Sequence, residues 1–278
     1  MARYWLCLLL LVALGCAGAP EGPVTVQSPD GVDIAATVHS LGQPTVVLVH
    51  GWMCDQTYWE TQISALAKNF GVVTVDLAGH GLSGTGRQSW TIDSLGQDAA
   101  AVITHLKLTE AIVIGHSMGG RVGLVAARLL PGTVIGVIGV DTLHDADEKW
   151  DPEEGDFLGG LENDFIATCD GFVRSMFGER ADGALIDHIA SDMCSGPGEI
   201  GAALIRDYVA YDLASALQSA GVPIRCVNAD KWPTNAEANR KYADFDAVIL
   251  PGFGHFLMHE APDELNNALI EIVTALSD

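Results

Sequence analysis

The chain has 278 residues, 49% of them apolar, and a formal net charge of −22 from 14 basic and 36 acidic side chains. That length suits one large α/β domain with room for an inserted subdomain, and the apolar share excludes a disordered chain. A balance this acidic argues against nucleic acid and anionic membrane surfaces as partners, and it reads as a solubility feature.

Residues 1–16 stand apart from the fold. A single arginine, Arg3, precedes an apolar run, Tyr4 to Leu14, that is short for a bilayer span; this is the pattern of a secretory signal. The run ends Ala13-Leu14-Gly15-Cys16, which resembles a bacterial lipoprotein signal with Cys16 as the lipid-bearing residue. Two other readings stand beside it, ordinary cleavage after Ala17-Gly18-Ala19 and an uncleaved anchor. Pro20 just after the cut opposes the first, and shortness opposes the second. Residues 17–23 read as a tether. The expected product is an exported protein of the bacterial cell envelope, lipid-anchored at Cys16 or soluble in the periplasm or outside, with no transmembrane helix in its mature part. Of the six cysteines, Cys54, Cys169, Cys194 and Cys226 lie beyond the signal. An even number in an exported chain permits disulfides. Cys169 and Cys194 share one region and form the most plausible pair, whereas Cys226 lies in an apolar strand, where a buried free thiol is the usual finding.

Val24 to Val26 and Val32 to His39 flank the turn signal Ser28-Pro29-Asp30-Gly31 and read as an antiparallel hairpin. Thr45 to His50 is a continuous apolar run typical of a central parallel strand. Gly51-Trp52-Met53-Cys54 follows, then a helical stretch from Tyr58 to Asn69. Val72 to Val75 is a strand ending at Asp76, and a glycine-rich loop, Asp76 to Gly84, leads to a helix over Ile92 to Leu106 with Thr91 as its cap. Ala111 to Ile114 is a strand, Gly115-His116-Ser117-Met118-Gly119 a sharp turn, and Gly120 to Leu130 a helix. Thr133 to Val140 is the next strand and ends at Asp141. Such alternation demands a parallel sheet with helices on both faces and right-handed crossovers. It lapses from Leu143 to Ala220, where weak helical patterns read as an inserted helical cap. It resumes with a strand at Ile224 to Asn228, a helix at Asn235 to Tyr242, a strand at Ala247 to Leu250 and a last helix at Pro262 to Leu276. The core is thus 24–142 with 221–278, and the cap 143–220.

Glycines two residues before and two after Ser117 allow a tight strand-to-helix turn that exposes the hydroxyl above the sheet edge, so Ser117 is the candidate nucleophile. A serine hydroxyl needs a base, and the base an orienting acid; in open parallel sheets these gather at the carboxyl ends of strands. His255, in a glycine-flanked loop after the last strand, is the candidate base. His259 is read as the start of the final helix, His116 as packing, and His50 and His80 as loop supports. Asp230, after the strand that follows the cap, is the first choice of acid because it lies between Ser117 and His255 in the chain. Asp141 is the alternative, since a carboxylate there can reach the same histidine from the neighbouring strand. Asp76 reads as a turn-former. An oxyanion needs preorganised N–H donors; Met118 at the start of a helix and Trp52 after His50-Gly51 fit. No C-x-x-C or calcium-loop spacing points to a metal, the acidic run Asp145 to Asp156 included, and the chemistry calls for no cofactor.

His50-Gly51-Trp52, Asp76-x-x-Gly79-His80-Gly81-x-Ser83, Gly115-His116-Ser117-Met118-Gly119 and Gly254-His255 together resemble the α/β-hydrolase superfamily, in its order and over nearly the whole mature chain. The His-Gly-Trp and Gly-His-Ser-Met-Gly segments are similar to capped arylesterase-like and haloperoxidase-like members. The resemblance implies an α/β-hydrolase fold, a mostly parallel eight-stranded sheet with an inserted helical cap, and a triad of Ser117, His255 and Asp230. The acid loop, Asn228-Ala229-Asp230-Lys231-Trp232-Pro233, departs from the family's Gly-x-x-Asp, and that keeps Asp141 open. Serine at the elbow excludes the epoxide hydrolases and haloalkane dehalogenases, which use aspartate there. The expected function is a serine carboxylesterase acting on a small ester through an acyl-enzyme. Alternatives are another acyl or carbon–carbon hydrolase or perhydrolase with the same triad, or a non-catalytic envelope lipoprotein that binds a ligand. Phe157, Phe165, Phe172 and Phe177 line the acyl pocket or form cap core.

Overall fold

A computed structural model describes residues 21–148 and 157–278. The expected signal segment, Cys16, most of the expected tether and the acidic run beyond Glu148 lie outside these residues. The first hairpin is β1 (Gly22–Gln27) and β2 (Asp33–Ser40), paired antiparallel. Its loop closes by Gly31 N–H donating to Ser28 C=O, with Gly31 at φ 86°. A buried network anchors it: Arg87 donates to Asp30 and Asp98, and Ser28 donates to Asp98. The remaining strands are β3 (Thr45–Val49), β4 (Gly71–Val75), β5 (Ala111–His116), β6 (Val134–Val140), β7 (Ile224–Ala229) and β8 (Phe245–Leu250). They form one eight-stranded sheet in the order β1-β2-β4-β3-β5-β6-β7-β8. β2 meets β4 antiparallel; every pairing from β4 to β8 is parallel. β3, β4 and β5 are buried at every position, as their unbroken apolar runs require of strands covered on both faces.

Helices α1 (Glu60–Leu66), α2 (Ile92–His105), α3 (Met118–Leu129), α9 (Ala236–Arg240) and α11 (Pro262–Ser277) belong to the core. Thr91 caps α2 in a reciprocal box with Ser94, satisfying two otherwise orphaned N–H groups. Successive strand residues point to opposite faces. Gly123 of α3 rests on Val113 and Val137, whereas Leu276 of α11 lies over Gly136, so α3 and α11 cover opposite faces of the sheet. One expectation is corrected here. His259 does not begin the final helix but lies in a separate turn, α10 (Leu257–Glu260), because Ala261 at φ −141° breaks the helix before Pro262 starts α11.

Between β6 and β7 the chain forms α4 (Phe157–Asn163), α5 (Phe165–Ser175), α6 (Gly183–Met193), α7 (Gly198–Ala210) and α8 (Leu213–Ala220). This is the helical cap. Cys169 of α5 is bridged to Cys194 at the end of α6; Cys54 and Cys226 are free and buried. The cap is tied to the core by polar contacts. Trp52 Nε1–H donates to Gly201 C=O at 2.9 Å, Tyr58 O–H to Asp192 at 2.7 Å, and Ile92 N–H to Asp207 at 2.7 Å.

The register sets up the site. Val49 pairs with both Val75 and Gly115, His116 with Val140, Val140 with Val227, and Ala229 with Leu250. The carboxyl ends of β3 to β6 therefore finish within a residue of one another, β7 and β8 run two residues further, and Gly51, Asp76, Ser117, Asp141, Asp230 and the His255 loop emerge along one edge of the sheet.

Candidate active site

Ser117 sits between β5 and α3 at φ 53°, ψ −118°, a left-handed conformation that costs a non-glycine residue on the order of 1–3 kcal/mol. Its neighbours hold it there. Ser117 N–H donates to Val140 C=O at 3.0 Å, and its own carbonyl accepts from Gly120 N–H and, at 2.7 Å, from Thr142 Oγ1–H. The turn has no room for other side chains: a Cβ on Gly115 would fall 2.1 Å from Gly119 O, and one on Gly119 would fall 2.5 Å from Val49 O. From Ala111 to Gly120 every residue is buried except Ser117, which is partly exposed.

His255 follows β8. Its N–H donates to Met176 C=O of the cap at 2.9 Å, and its carbonyl accepts from His116 Nε2–H at 3.0 Å. The His116 and His255 rings stand 4.6 Å apart, so the histidine loop lies over the elbow. Nδ1 of His255 is 2.6 Å from Asp141 Oδ2, and the Asp141 side chain is fully buried. A carboxylate only accepts, so Nδ1 carries the proton and Nε2 keeps a lone pair. The other Asp141 oxygen accepts from Ala229 N–H at 2.8 Å, and Asp141 N–H donates to Val227 C=O. Asp141 itself has φ 46°, which turns its side chain off the end of β6. Asn228 braces that turn, accepting from Thr142 N–H and donating to Thr142 C=O.

The expectation that Asp230 partners His255 is corrected by this geometry. Asp230 lies one residue past the end of β7, is exposed, and accepts from Gly252 N–H at 2.7 Å. It joins two loops at the surface, and the carboxylate on the histidine is the alternative, Asp141.

The loop after β3 completes the edge. Cys54 N–H donates to Gly51 C=O, closing a turn with Trp52 and Met53 at its centre, Met53 at φ 56°. Trp52 N–H is left outside that bond. A Cβ on Gly51 would lie 3.2 Å from Ser117 Cβ, so the turn abuts the serine. Met118 N–H, at the first position of α3, has no acceptor within the helix. The Trp52 ring meets Phe165 and Phe172 of the cap edge-on at 5.9 and 6.2 Å.

His50, His80 and His116 are buried beside this edge. His50 Nδ1–H donates to Gly51 C=O, and its Nε2 accepts from Leu77 N–H; burial pushes its pKa down to about 4. His80 Nδ1–H donates to Ala78 C=O, and burial, with a smaller contribution from His50, pushes it down to about 3. His116 is held well below the usual range by burial and then by His255. Asp76 accepts from Gln56 and Leu82 N–H groups as a turn-former. Burial raises the Cys54 thiol, so this sulfur beside the Trp52 turn is not a thiolate nucleophile. One residue escaped the sequence reading. Glu260 accepts from the N–H groups of Gly178, Gly254 and Phe256; its only signal is a carboxylate five residues past His255. Among the described residues, no group of three or more His, Cys, Asp or Glu is arranged to hold a metal, and no helix is long and apolar enough to cross a membrane.

This fold and edge-of-sheet site are those of a hydrolase class. A model of the alpha/beta hydrolase family matches residues 46–268, and the chain belongs to that family. It is 31% identical over 221 residues to 3-oxoadipate enol-lactonase 2 of Acinetobacter baylyi, covering 76% of this chain and 80% of that one. It is 28% identical over 276 residues to the dihydrolipoyllysine-residue acetyltransferase component of the acetoin cleaving system of Pseudomonas putida, covering 93% and 72%. Among solved structures, an esterase from Exiguobacterium antarcticum superposes with a TM-score of 0.82 at 20% identity, over 90% of this chain and 99% of that one. The protein is a hydrolase of this family.

Proposed function

We propose that the protein is a serine hydrolase that cleaves a carboxylic ester of modest size through an acyl-enzyme, with Ser117 as nucleophile, His255 as base and Asp141 as acid. The observation that carries this reading is the buried 2.6 Å hydrogen bond from His255 Nδ1–H to Asp141 beside a serine held at φ 53°. With Nδ1 protonated, Nε2 takes the Ser117 proton as the hydroxyl attacks the ester carbonyl. The imidazolium so formed is stabilised by Asp141 and returns its proton to the leaving alcohol. Water then repeats the sequence in reverse and frees the acid. The N–H groups of Trp52 and Met118 are the proposed donors to the tetrahedral oxyanion, each worth on the order of 100- to 1000-fold in kcat. The aromatic wall of Trp52, Phe165 and Phe172 supports an apolar acyl or aryl group under the cap.

Export belongs to the same proposal, with lipidation at Cys16 and residence in the bacterial cell envelope. The signal-like residues 1–16 support it, and so does the Cys169–Cys194 bridge, since disulfides persist in oxidising compartments. The test is fluorophosphonate labelling of the purified protein, followed by p-nitrophenyl ester hydrolysis. We expect stoichiometric labelling and turnover, both lost in Ser117→Ala. A protein that neither labels nor turns over any ester would instead be a binding protein built on this fold.

A further inference from the structure

We propose that Glu260 is a positioning residue for His255, acting through the backbone on either side of it. One Glu260 oxygen accepts from both Gly178 N–H and Gly254 N–H at 2.9 Å, and the other accepts from Phe256 N–H at 3.2 Å. The N–H between them, that of His255, donates to Met176 C=O. All three consecutive peptide groups around the histidine are therefore held, two of them by a single carboxylate. The third donor, Gly178, belongs to the stretch after α5 in the cap, and its backbone touches the histidine loop directly. A Cβ on Gly254 would fall 2.2 Å from Gly178 N, and one on Gly178 would fall 2.8 Å from Gly254 N. Two glycines thus let the strands of chain cross in contact, and Glu260 pins the crossing.

The ring of His255 is fixed at two ends. Asp141 holds Nδ1, and the Glu260 clamp sets where the Cα stands and which way the Cα–Cβ bond points. Together they direct Nε2, the atom proposed to accept the Ser117 proton. Bonds from backbone N–H to a carboxylate are charge-assisted and roughly twice as strong as neutral ones. Without them the backbone of the loop between β8 and α10 is held by Met176 C=O, His116 Nε2–H and Asp230, and the amides on either side of His255 lose their acceptor. A displacement of 1 Å at a reacting group costs on the order of 100-fold in rate. Glu260 touches neither substrate nor the reacting atoms, so its effect is indirect.

This inference rests on the serine-hydrolase reading, and the experiment separates the two. Wild type, Glu260→Ala, Glu260→Gln and Glu260→Asp are compared in kcat and KM for a p-nitrophenyl ester, in melting temperature, and in the downfield proton NMR signal of the His255 Nδ1–H bonded to Asp141. We expect Glu260→Ala to lower kcat by roughly 10- to 100-fold with KM little changed, and to shift or broaden the downfield signal. Glutamine keeps an oxygen where two of the three donors point, though without the charge and with its amide N–H facing Phe256 N–H, whereas aspartate keeps the charge but loses the reach to all three donors. The expected order of kcat is therefore wild type, glutamine, aspartate, alanine. Should the alanine variant fail to fold, the order of the other two decides, and aspartate above glutamine overturns the geometric argument. A Glu260→Ala protein with kcat within about twofold of wild type and an unmoved signal overturns the proposal, whatever its melting temperature. A wild type with neither fluorophosphonate labelling nor turnover at Ser117 refutes the serine-esterase reading instead; the NMR signal needs no turnover and still decides the role of Glu260.

Discussion

Replacing Asp141 by asparagine separates the two candidate acids most sharply. Asp141 accepts two buried hydrogen bonds, from Ala229 N–H and from His255 Nδ1–H. An amide has one acceptor oxygen and cannot serve both. If the oxygen stays on Ala229, the amide N–H faces the ring, Nδ1 must give up its proton, and Nε2 takes one. The base then has no lone pair toward Ser117. If the amide flips, its N–H meets Ala229 N–H, and a buried donor left unsatisfied costs about 1–3 kcal/mol. The charge that stabilises the imidazolium is lost in both cases. An acid-to-amide change in a triad of this kind lowers kcat by about 10⁴-fold, or about 5 kcal/mol. Asparagine at 230 keeps the oxygen that accepts from Gly252 N–H at an exposed site, so Asp230→Asn should stay within about 0.5 kcal/mol of wild type, roughly twofold in rate. The assay is initial-rate hydrolysis of p-nitrophenyl acetate, with Ser117→Ala as the background and circular dichroism to confirm folding. A folded Asp141→Asn within tenfold of wild type, or a larger loss in Asp230→Asn, would refute the assignment.

Two further predictions follow from buried groups. His50 and His80, pushed by burial to about 4 and about 3, stay neutral in the fold but protonate in the unfolded chain near 6.5. The unfolded state then binds more protons below about pH 6.5, so stability falls with pH through that point by about 1.4 kcal/mol per pH unit for each imidazole. His116 acts in the same direction. Urea midpoints should be level above pH 7 and drop steeply from 6.5 to 5; midpoints unchanged across that range would contradict the burial of these rings. Opening the Cys169–Cys194 bridge, separated by 25 residues, should cost about 3 kcal/mol in the loop-entropy account. For a domain this size that lowers the melting temperature by roughly 6–12 °C, measured on Cys169→Ser/Cys194→Ser by calorimetry; an unshifted transition would rule the bridge out as a stabilising element.

The parts of the molecule that could be read from the sequence are those where one residue type is forced. The elbow is such a place, because Gly115 and Gly119 approach backbone atoms of neighbouring elements to within a Cβ's radius, and no other residue fits. The central strands were legible for a similar reason: a parallel strand covered on both faces admits only apolar side chains, and β3, β4 and β5 have little else. Thr91 announced α2 because the side chain that caps a helix must be one of a few. The turn α10 had no such signal. Four residues are too few to show a helical period.

Which carboxylate meets His255 was not legible because two aspartates satisfy every condition that chain order and strand ends impose. Asp141 and Asp230 both follow parallel strands at the same edge of the sheet, and both precede His255. What separates them is backbone direction. Asp141 adopts φ 46° immediately after β6, which swings its carboxylate across the end of β7 to meet Ala229 N–H and the histidine ring together. Aspartate is among the few residues that tolerate that conformation, but tolerance does not make it visible, since most aspartates do not adopt it. Asp230 follows its strand just as directly, but β7 runs two residues beyond the level of Val140, which pairs with Val227, and from there the carboxylate meets Gly252 N–H at the surface. The departure from the family's Gly-x-x-Asp pattern at Asn228 was the one trace of this difference. Asn228 gives both ends of its amide to Thr142, bracing the turn at Asp141, so the residue that breaks the pattern on one strand supports the carboxylate that meets His255 from the other.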